Sequence, residues 1–149
     1  MGGWQALLLS RAMPDAIAGL VTIAAAPDFT EDGYWASFTD AQKRMLMDDG
    51  QVELPSDYME PYVITRRMIE DGRKQLVLHD TLALPFPTRF LQGTADTAVS
   101  VATAVRLLEH AQGPDMQLQL VKDADHRFSD DRCLSLVSDA LTQVIALAS

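Results

Sequence analysis

The spacing of apolar positions predicts three strands. Residues 17–26 form a continuous apolar run with β-branched members, which is typical of a strand buried on both faces of a parallel sheet. A shorter apolar run at residues 88–93 predicts a second strand. Residues 116–121 alternate between polar and apolar side chains, which predicts a third strand with one exposed face, near a sheet edge.

Helical patterns separate and flank these strands. Residues 5–13 are apolar on nearly all sides and predict a buried helix that Pro14 ends. Further helices are predicted over Val99–His110 and from a cap at Ser129–Asp131 to about Leu147. Strands that alternate with helices indicate an α/β fold, in which about three parallel strands lie between helical layers as a three-layer α/β/α sandwich.

Residues 28–75 have a different pattern, in which acidic, aromatic and methionine residues mix without strand periodicity. Thr39–Gln42 resembles a capping box and predicts a helix that Gly50 ends. Residues 51–55 predict a short extended segment, and residues 62–74 a second helix. We interpret 28–75 as a lid-like helical insertion over the strand ends. The alternative is a long helical connection between two strands.

The composition is that of one globular domain spanning residues 1–149, with 48% hydrophobic and 22% charged residues. The net charge of −9 argues against nucleic-acid binding and against docking on anionic membranes. No apolar run is long enough to cross a membrane, and the N-terminus lacks the features of a signal peptide. We therefore expect a cytoplasmic location and no membrane partner.

Metal and cofactor motifs are missing from the sequence. Cys133 is the only cysteine, so neither an internal disulfide nor a cysteine-rich metal site can form. We expect Cys133 to be a small buried residue of the last helix. The sequence contains no His-Glu-x-x-His run and no Gly-x-x-x-x-Gly-Lys run. We expect no metal and no cofactor.

Two short runs carry groups suited to proton transfer. Asp96 lies in the run Leu91–Val99 after the second predicted strand, and His126 lies in Asp123–Phe128 after the third. Ligands of parallel α/β sheets bind outside the carboxyl ends of the strands, which lie about 4.8 Å apart. We therefore expect the carboxylate to accept a ring N–H of the imidazole, so that His126 acts as a general base.

Each of these residues also has a plainer interpretation. Asp96 follows Gly-Thr-Ala and could serve only as a turn residue or as a neighbour of a helix cap. His126 could be an ordinary loop histidine. Asp123 and Asp125 are alternative partners for the ring, although carboxylates so near in sequence seldom reach its nitrogens in the required orientation. The histidines that we interpret as surface or structural residues are His79 and His110.

A triad also needs a nucleophile, and the signature Gly-x-Ser-x-Gly is absent. The chain nevertheless resembles the C-terminal half of an α/β-hydrolase. Met1–Trp4 is similar to the part of the family's elbow Gly-x-Ser-Met-Gly-Gly that follows the serine. Gly93–Val99 is similar to the acid loop Gly-x-x-Asp-x-x-Val, and Asp125–Arg127 to the histidine loop. The Gly-Gly-Trp continuation points to the bacterial and mitochondrial esterase or acyl-protein thioesterase branch.

The resemblance implies a serine hydrolase that cleaves small-molecule acyl esters or thioesters, with Asp96 as acid and His126 as base. In this alignment the serine would lie one residue before Met1. Met1 would hold the position of an oxyanion-hole donor, but with a terminal amine in place of a backbone amide. We expect the chain as given to be inactive. We interpret Met1 as an internal methionine of a longer hydrolase, with gene truncation as the alternative.

The resemblance leaves the pocket and the partners as further expectations. The candidates for an apolar acyl pocket, for which ordinary core packing is the alternative, are Trp35, Phe38 and Met45. A first strand without its family neighbour has an exposed edge, which favours self-association. The alternative functions are a non-catalytic binding or assembly domain on this scaffold and an unrelated flavodoxin-like domain. The latter needs a phosphate-binding loop that residues 24–28 do not supply.

Overall fold

The computed structural model describes residues 1–55 and 61–148, which form two compact units. The first unit combines Met1–Pro27 with Val77–Ser149, and the second is Asp28–Leu76. In chain order the elements are α1 (Gly2–Ala12), a 3₁₀ turn (Pro14–Ala16), β1 (Leu20–Ile23), a π-helical segment (Phe29–Trp35), α2 (Asp40–Asp49), β2 (Gln51–Leu54), β3 (Tyr62–Thr65), α3 (Arg66–Arg73), β4 (Thr88–Gly93), α4 (Val101–His110), β5 (Met116–Val121) and α5 (Asp131–Ala148).

The first unit is built on a parallel sheet with the strand order β1-β4-β5. The central strand β4 is buried along its whole length, as a strand paired on both edges should be. The helix α5 packs on β1 and β4, and α4 packs on β4 and β5. The predicted α/β fold with a parallel three-stranded sheet and flanking helices is therefore confirmed. The core beneath α5 consists of Leu91, Val121, Ala124, Phe128, Cys133 and Ala140.

The first helix and strand differ from the expectation in extent. The strand β1 covers only Leu20–Ile23 of the apolar run, and α1 begins at Gly2. Within the described residues α1 buries one side, because Leu7 is fully buried while Leu9 is 53% exposed. None of the helices in residues 1–55 and 61–148 combines the length and the apolar character that crossing a membrane requires.

In the second unit, the helix α2 begins at the predicted capping box. The Thr39 hydroxyl accepts the Gln42 N–H at 3.2 Å, and the Thr39 N–H donates to Gln42 Oε1 at 2.9 Å. The helix α2 that follows ends at Gly50, whose φ of 83° is left-handed. Both ends of the predicted helix are therefore confirmed.

The helix predicted over 62–74 is wrong for its first four residues. Tyr62–Thr65 is the strand β3, which pairs antiparallel with β2. β-branched side chains favour a strand where a partner is available, and Ile64 lies opposite Val52 with both side chains buried. Thr65 then caps α3 with its side-chain oxygen. The extended segment predicted at residues 51–55 is confirmed as the strand β2, and residues 56–60 lie outside the described part of the chain.

The loops that follow β4 and β5, which carry Asp96 and His126, are in direct contact. The Thr94 N–H donates to the Val121 carbonyl at 2.9 Å, and the Ala95 N–H donates to the Ala124 carbonyl at 3.0 Å. A Cβ at position 93 would clash with the Ala124 carbonyl oxygen. Gly93 is therefore required for this close backbone approach.

We expect Gly93→Ala to lower the free energy of unfolding by about 1–3 kcal/mol, because the new methyl group would displace backbone rather than a flexible side chain. Urea denaturation followed by circular dichroism measures this change. Gly2→Ala is the control, since nothing lies within 4 Å of a Cβ there. Equal stability of the two variants would contradict the argument.

Candidate active site

Asp96 lies in the loop between β4 and α4, and its side chain is completely buried. Its Oδ1 accepts the N–H groups of Ala98 at 2.8 Å and Val99 at 2.9 Å. A carboxylate that accepts backbone N–H groups two and three residues ahead closes a tight local turn. The turn fixes one carboxylate oxygen and leaves Oδ2 for other donors.

His126 lies in the loop between β5 and α5, and its Nδ1 is 2.9 Å from Asp96 Oδ2. The side chain of His126 is 52% exposed, whereas that of Asp96 is 0% exposed. A buried carboxylate thus holds one nitrogen of a ring that solvent can reach. The structure brings together the two residues that the sequence placed at adjacent strand ends.

The loop that carries His126 has an unusual backbone. Asp123 has a φ of 63° and Phe128 a φ of 53°, so left-handed residues stand at both ends of the run. Left-handed backbone is costly for a bulky residue such as Phe128, and it persists only where the surroundings hold it. Phe128 is 2% exposed in the core, which anchors the end of the loop.

The two aspartates that flank His126 make hydrogen bonds elsewhere. Asp125 Oδ1 accepts the N–H groups of Arg127 at 3.0 Å and Phe128 at 3.1 Å, so this carboxylate stabilises the turn of its own loop. The Asp123 backbone N–H donates to Thr94 Oγ1 at 2.9 Å, which ties this loop to the one that bears Asp96.

The electrostatic balance at Asp96 favours its ionised form. Burial of the carboxyl group acts to raise its pKa. The hydrogen bond from the Val99 N–H opposes burial, and those from His126, Ala98 and Gln92 act in the same direction. Since these bonds outweigh burial, the pKa of Asp96 lies below its ordinary value. An ionised carboxylate at this distance accepts the ring N–H and so fixes which ring nitrogen carries the proton.

Gln92 also belongs to this site, and sequence reasoning missed it. The side chain lies on β4 with 1% of the residue exposed, and its Nε2 is 3.0 Å from Asp96 Oδ2. A polar residue inside an otherwise apolar central strand needs hydrogen-bond partners when buried. The glutamine in Phe90–Gly93 was therefore a signal that could have identified it.

The other predicted site residue of this unit is Met1, which is the N-cap of α1. It is 68% exposed, and its carbonyl accepts the N–H groups of Trp4 at 3.0 Å and Gln5 at 3.2 Å. Its role near an oxyanion stays a prediction. Of the two histidines interpreted as structural, His110 donates from Nε2 to the Asp80 carbonyl at 2.7 Å.

The predicted pocket residues all lie in the second unit. Phe38 is 5% exposed in the core of that unit, and Trp35 packs against the same core. The Trp35 ring is faced by Lys43 Nζ at 5.3 Å and Arg73 Cζ at 4.4 Å from its centroid. Met45 is 48% exposed and lines a shallow surface pocket of about 280 Å³. Their role in binding an acyl group stays a prediction.

The chain is related to α/β-hydrolases of known sequence. It is 27% identical over 147 residues to the mitochondrial palmitoyl-protein thioesterase ABHD10 of Mus musculus, a match over 97% of this chain and 49% of that protein. It is 24% identical over 147 residues to the same thioesterase of Homo sapiens, over 97% and 48%. The chain spans half the length of the curated relatives it matches. No protein-family model matches it.

Solved structures show the same relation. Alpha/beta hydrolase domain-containing protein 10 from mouse is 26% identical with a TM-score of 0.86, over 99% of this chain and 59% of that one. A protein of Agrobacterium vitis S4, provisionally described as a hydrolase, is 35% identical with a TM-score of 0.89, over 97% and 58%. The fold is thus that of a portion of an α/β-hydrolase, and the resemblance seen in the sequence is confirmed.

The lowered pKa of Asp96 predicts a pH dependence of stability. A carboxyl group whose pKa is lowered by folding stabilises the native state above its ordinary pKa, and this contribution is lost as pH falls through the lowered value. We therefore expect Asp96→Asn to lose less of its free energy of unfolding than the original chain does between about pH 5 and pH 2. Urea denaturation at several pH values measures the difference.

The exposed neighbour Asp123 provides the control, since Asn is compatible with its left-handed backbone. Asp123→Asn should keep the acid-induced loss of the original chain. An unchanged acid profile in Asp96→Asn would show that its hydrogen bonds do not favour the ionised form.

Proposed function

We propose that this chain supplies the acid and the general base of a serine hydrolase that cleaves acyl esters or thioesters. The observation that carries the proposal is the 2.9 Å hydrogen bond from His126 Nδ1 to the buried carboxylate of Asp96. The two residues follow β4 and β5, which are adjacent parallel strands, and this is where such folds bind ligands.

In the proposed mechanism the two ring nitrogens of His126 have different tasks. With the Nδ1–H donated to Asp96, Nε2 of a neutral His126 has a free lone pair. Nε2 is then the atom that takes the proton of an attacking serine and passes it to the leaving group. In the second half of the reaction the same atom activates water against the acyl-enzyme. Asp96 stays ionised throughout and stabilises the imidazolium.

The nucleophile belongs to sequence that these 149 residues do not contain, because no Gly-x-Ser-x-Gly motif occurs among them. We propose that acyl-enzyme formation requires that additional sequence, and that the chain as given does not form the intermediate. A second consequence concerns the oxyanion hole. If Met1 follows the serine in a longer chain, its nitrogen becomes an amide donor and the hole gains one of its two N–H groups.

The substrate class rests on the relatives. The curated ABHD10 proteins of mouse and man are palmitoyl-protein thioesterases, which supports an acyl thioester or ester for this chain. Both substrates react through a tetrahedral oxyanion, so the same acid and base serve either. That Trp35, Phe38 and Met45 bind the acyl group remains a proposal, which rests on their large apolar side chains.

A second candidate function, an assembly domain, is favoured by the edge of the sheet. Among the described residues β1 pairs with β4 alone, so its other edge has unpaired N–H and C=O groups. Ile23 on this strand is 39% exposed. Such an edge suits pairing with a second copy of the chain.

The hydrolase proposal is tested by expressing the reading frame from its furthest upstream in-frame start. We expect a product that a fluorophosphonate probe labels and that hydrolyses p-nitrophenyl and S-acyl substrates. Asp96→Asn should lower kcat by about 10⁴-fold, because the asparagine favours the wrong tautomer of His126. His126→Ala should lower kcat by a similar factor, because the general base is lost.

Asp123→Asn is the matched control and should leave kcat unchanged, since Asp123 is exposed and its hydrogen bond to Thr94 uses the backbone N–H. A stop codon directly upstream of Met1 would contradict the proposal for this chain. So would hydrolysis that survives both active-site substitutions.

The assembly proposal predicts that the 149-residue chain sediments above its 16.4 kDa monomer mass. A lysine on an edge strand discourages pairing, so Ile23→Lys should shift the chain toward the monomer in analytical ultracentrifugation. Leu9→Lys changes a more exposed apolar residue, which lies on α1, and should have no such effect. A monomeric original chain would exclude this assembly.

A further inference from the structure

We propose that Gln92 is a positioning residue of the acid–base pair, whose side-chain amide holds the Asp96 carboxylate where it receives the His126 ring N–H. The inference rests on the proposed function of Asp96 and His126. Gln92 Nε2 and His126 Nδ1 both donate to Asp96 Oδ2, so Gln92 acts on the imidazole through the carboxylate.

The orientation of the Gln92 amide follows from what surrounds it. Its Nε2 lies 3.0 Å from Asp96 Oδ2, 3.0 Å from the Val99 carbonyl and 3.1 Å from the Gly93 carbonyl. Three acceptors thus surround a group that has two hydrogens. The opposite orientation would place the amide oxygen against three other oxygens, so the NH₂ group must face Asp96.

Each oxygen of the Asp96 carboxylate accepts two of its four hydrogen bonds. The N–H groups of Ala98 and Val99 hold Oδ1, whereas Gln92 Nε2 and His126 Nδ1 share Oδ2. Without the Gln92 donor, Oδ2 would be held only by the half-exposed histidine itself. Gln92 therefore holds Asp96 Oδ2 in place independently of the His126 ring, so the acceptor is pre-organised for the ring N–H.

The other end of the same side chain shows that packing alone does not explain Gln92. Its Oε1 is buried and has no hydrogen-bond partner within the described residues. Burying an amide oxygen without a partner destabilises a fold, and an apolar side chain of similar size would avoid this cost. Buried polar groups that violate this rule are concentrated at functional sites.

The test uses Gln92→Met in the 149-residue chain, because methionine matches the side-chain length and removes both the donor and the unpaired oxygen. We expect the pKa of Asp96, read from its ¹³Cγ resonance, to rise toward the ordinary value, because a hydrogen bond that lowers it is lost. We expect the fraction of His126 in the Nδ1–H tautomer, read from ring ¹⁵N shifts at about pH 9, to fall. Stability in urea should be equal or higher.

A purely structural role predicts the reverse, namely lower stability with the carboxyl titration and the tautomer unchanged. Gln119→Met is the matched control, since Gln119 is an exposed glutamine of the adjacent strand and lies opposite Leu91. Gln92→Glu is a second variant of nearly native shape, in which two neighbouring carboxyl groups should titrate as a coupled pair with a raised apparent pKa. Failure of both Gln92 variants to fold would assign the residue to the structure and overturn the proposal.

The same measurements on Asp96→Asn distinguish the role of Gln92 from the pairing of Asp96 with His126. If Asp96→Asn shifts the tautomer and Gln92→Met does not, only the role of Gln92 is excluded. If neither substitution shifts the tautomer, the pairing of Asp96 with His126 is not functional, and the proposed hydrolase chemistry is excluded with it.

Discussion

The site depends on one close backbone approach, that of the loops after β4 and β5. Backbone hydrogen bonds from Thr94 and Ala95 to the opposite loop join the two, and Gly93 leaves the space in which the Ala124 carbonyl lies. Because β4 and β5 pair in parallel, their ends come out at the same edge of the sheet. The register of these two strands thus sets the 2.9 Å contact between Asp96 and His126.

Much of this arrangement could be predicted from the sequence. The strands β4 and β5 have the predicted bounds, because each is an apolar or alternating run between strong turn residues. The pairing of Asp96 with His126 followed from one rule about parallel sheets, applied to two loops. Both inferences use patterns that are local in the chain or fixed by topology.

The misses required information that is not local. Tyr62–Thr65 has an acceptable helical pattern, and only the presence of β2 as an antiparallel partner makes it a strand. Gln92 carried a local signal, a polar residue in an apolar strand, but its task depends on burial and on the direction of the Asp96 side chain, which only the fold decides. The helix α1 looked buried on all sides, but burial depends on which elements pack around it, and sequence does not state that.

The distribution of rigidity in the site follows from the same geometry. The Asp96 carboxylate is held by backbone N–H groups of its own loop and by the Gln92 side chain, which lies on the buried central strand. His126 is held at one nitrogen and is half exposed. A general base must keep its second nitrogen accessible to the reacting group, whereas the residue that orients it need not move. Burial of Asp96 and exposure of His126 are therefore what an acid–base pair requires.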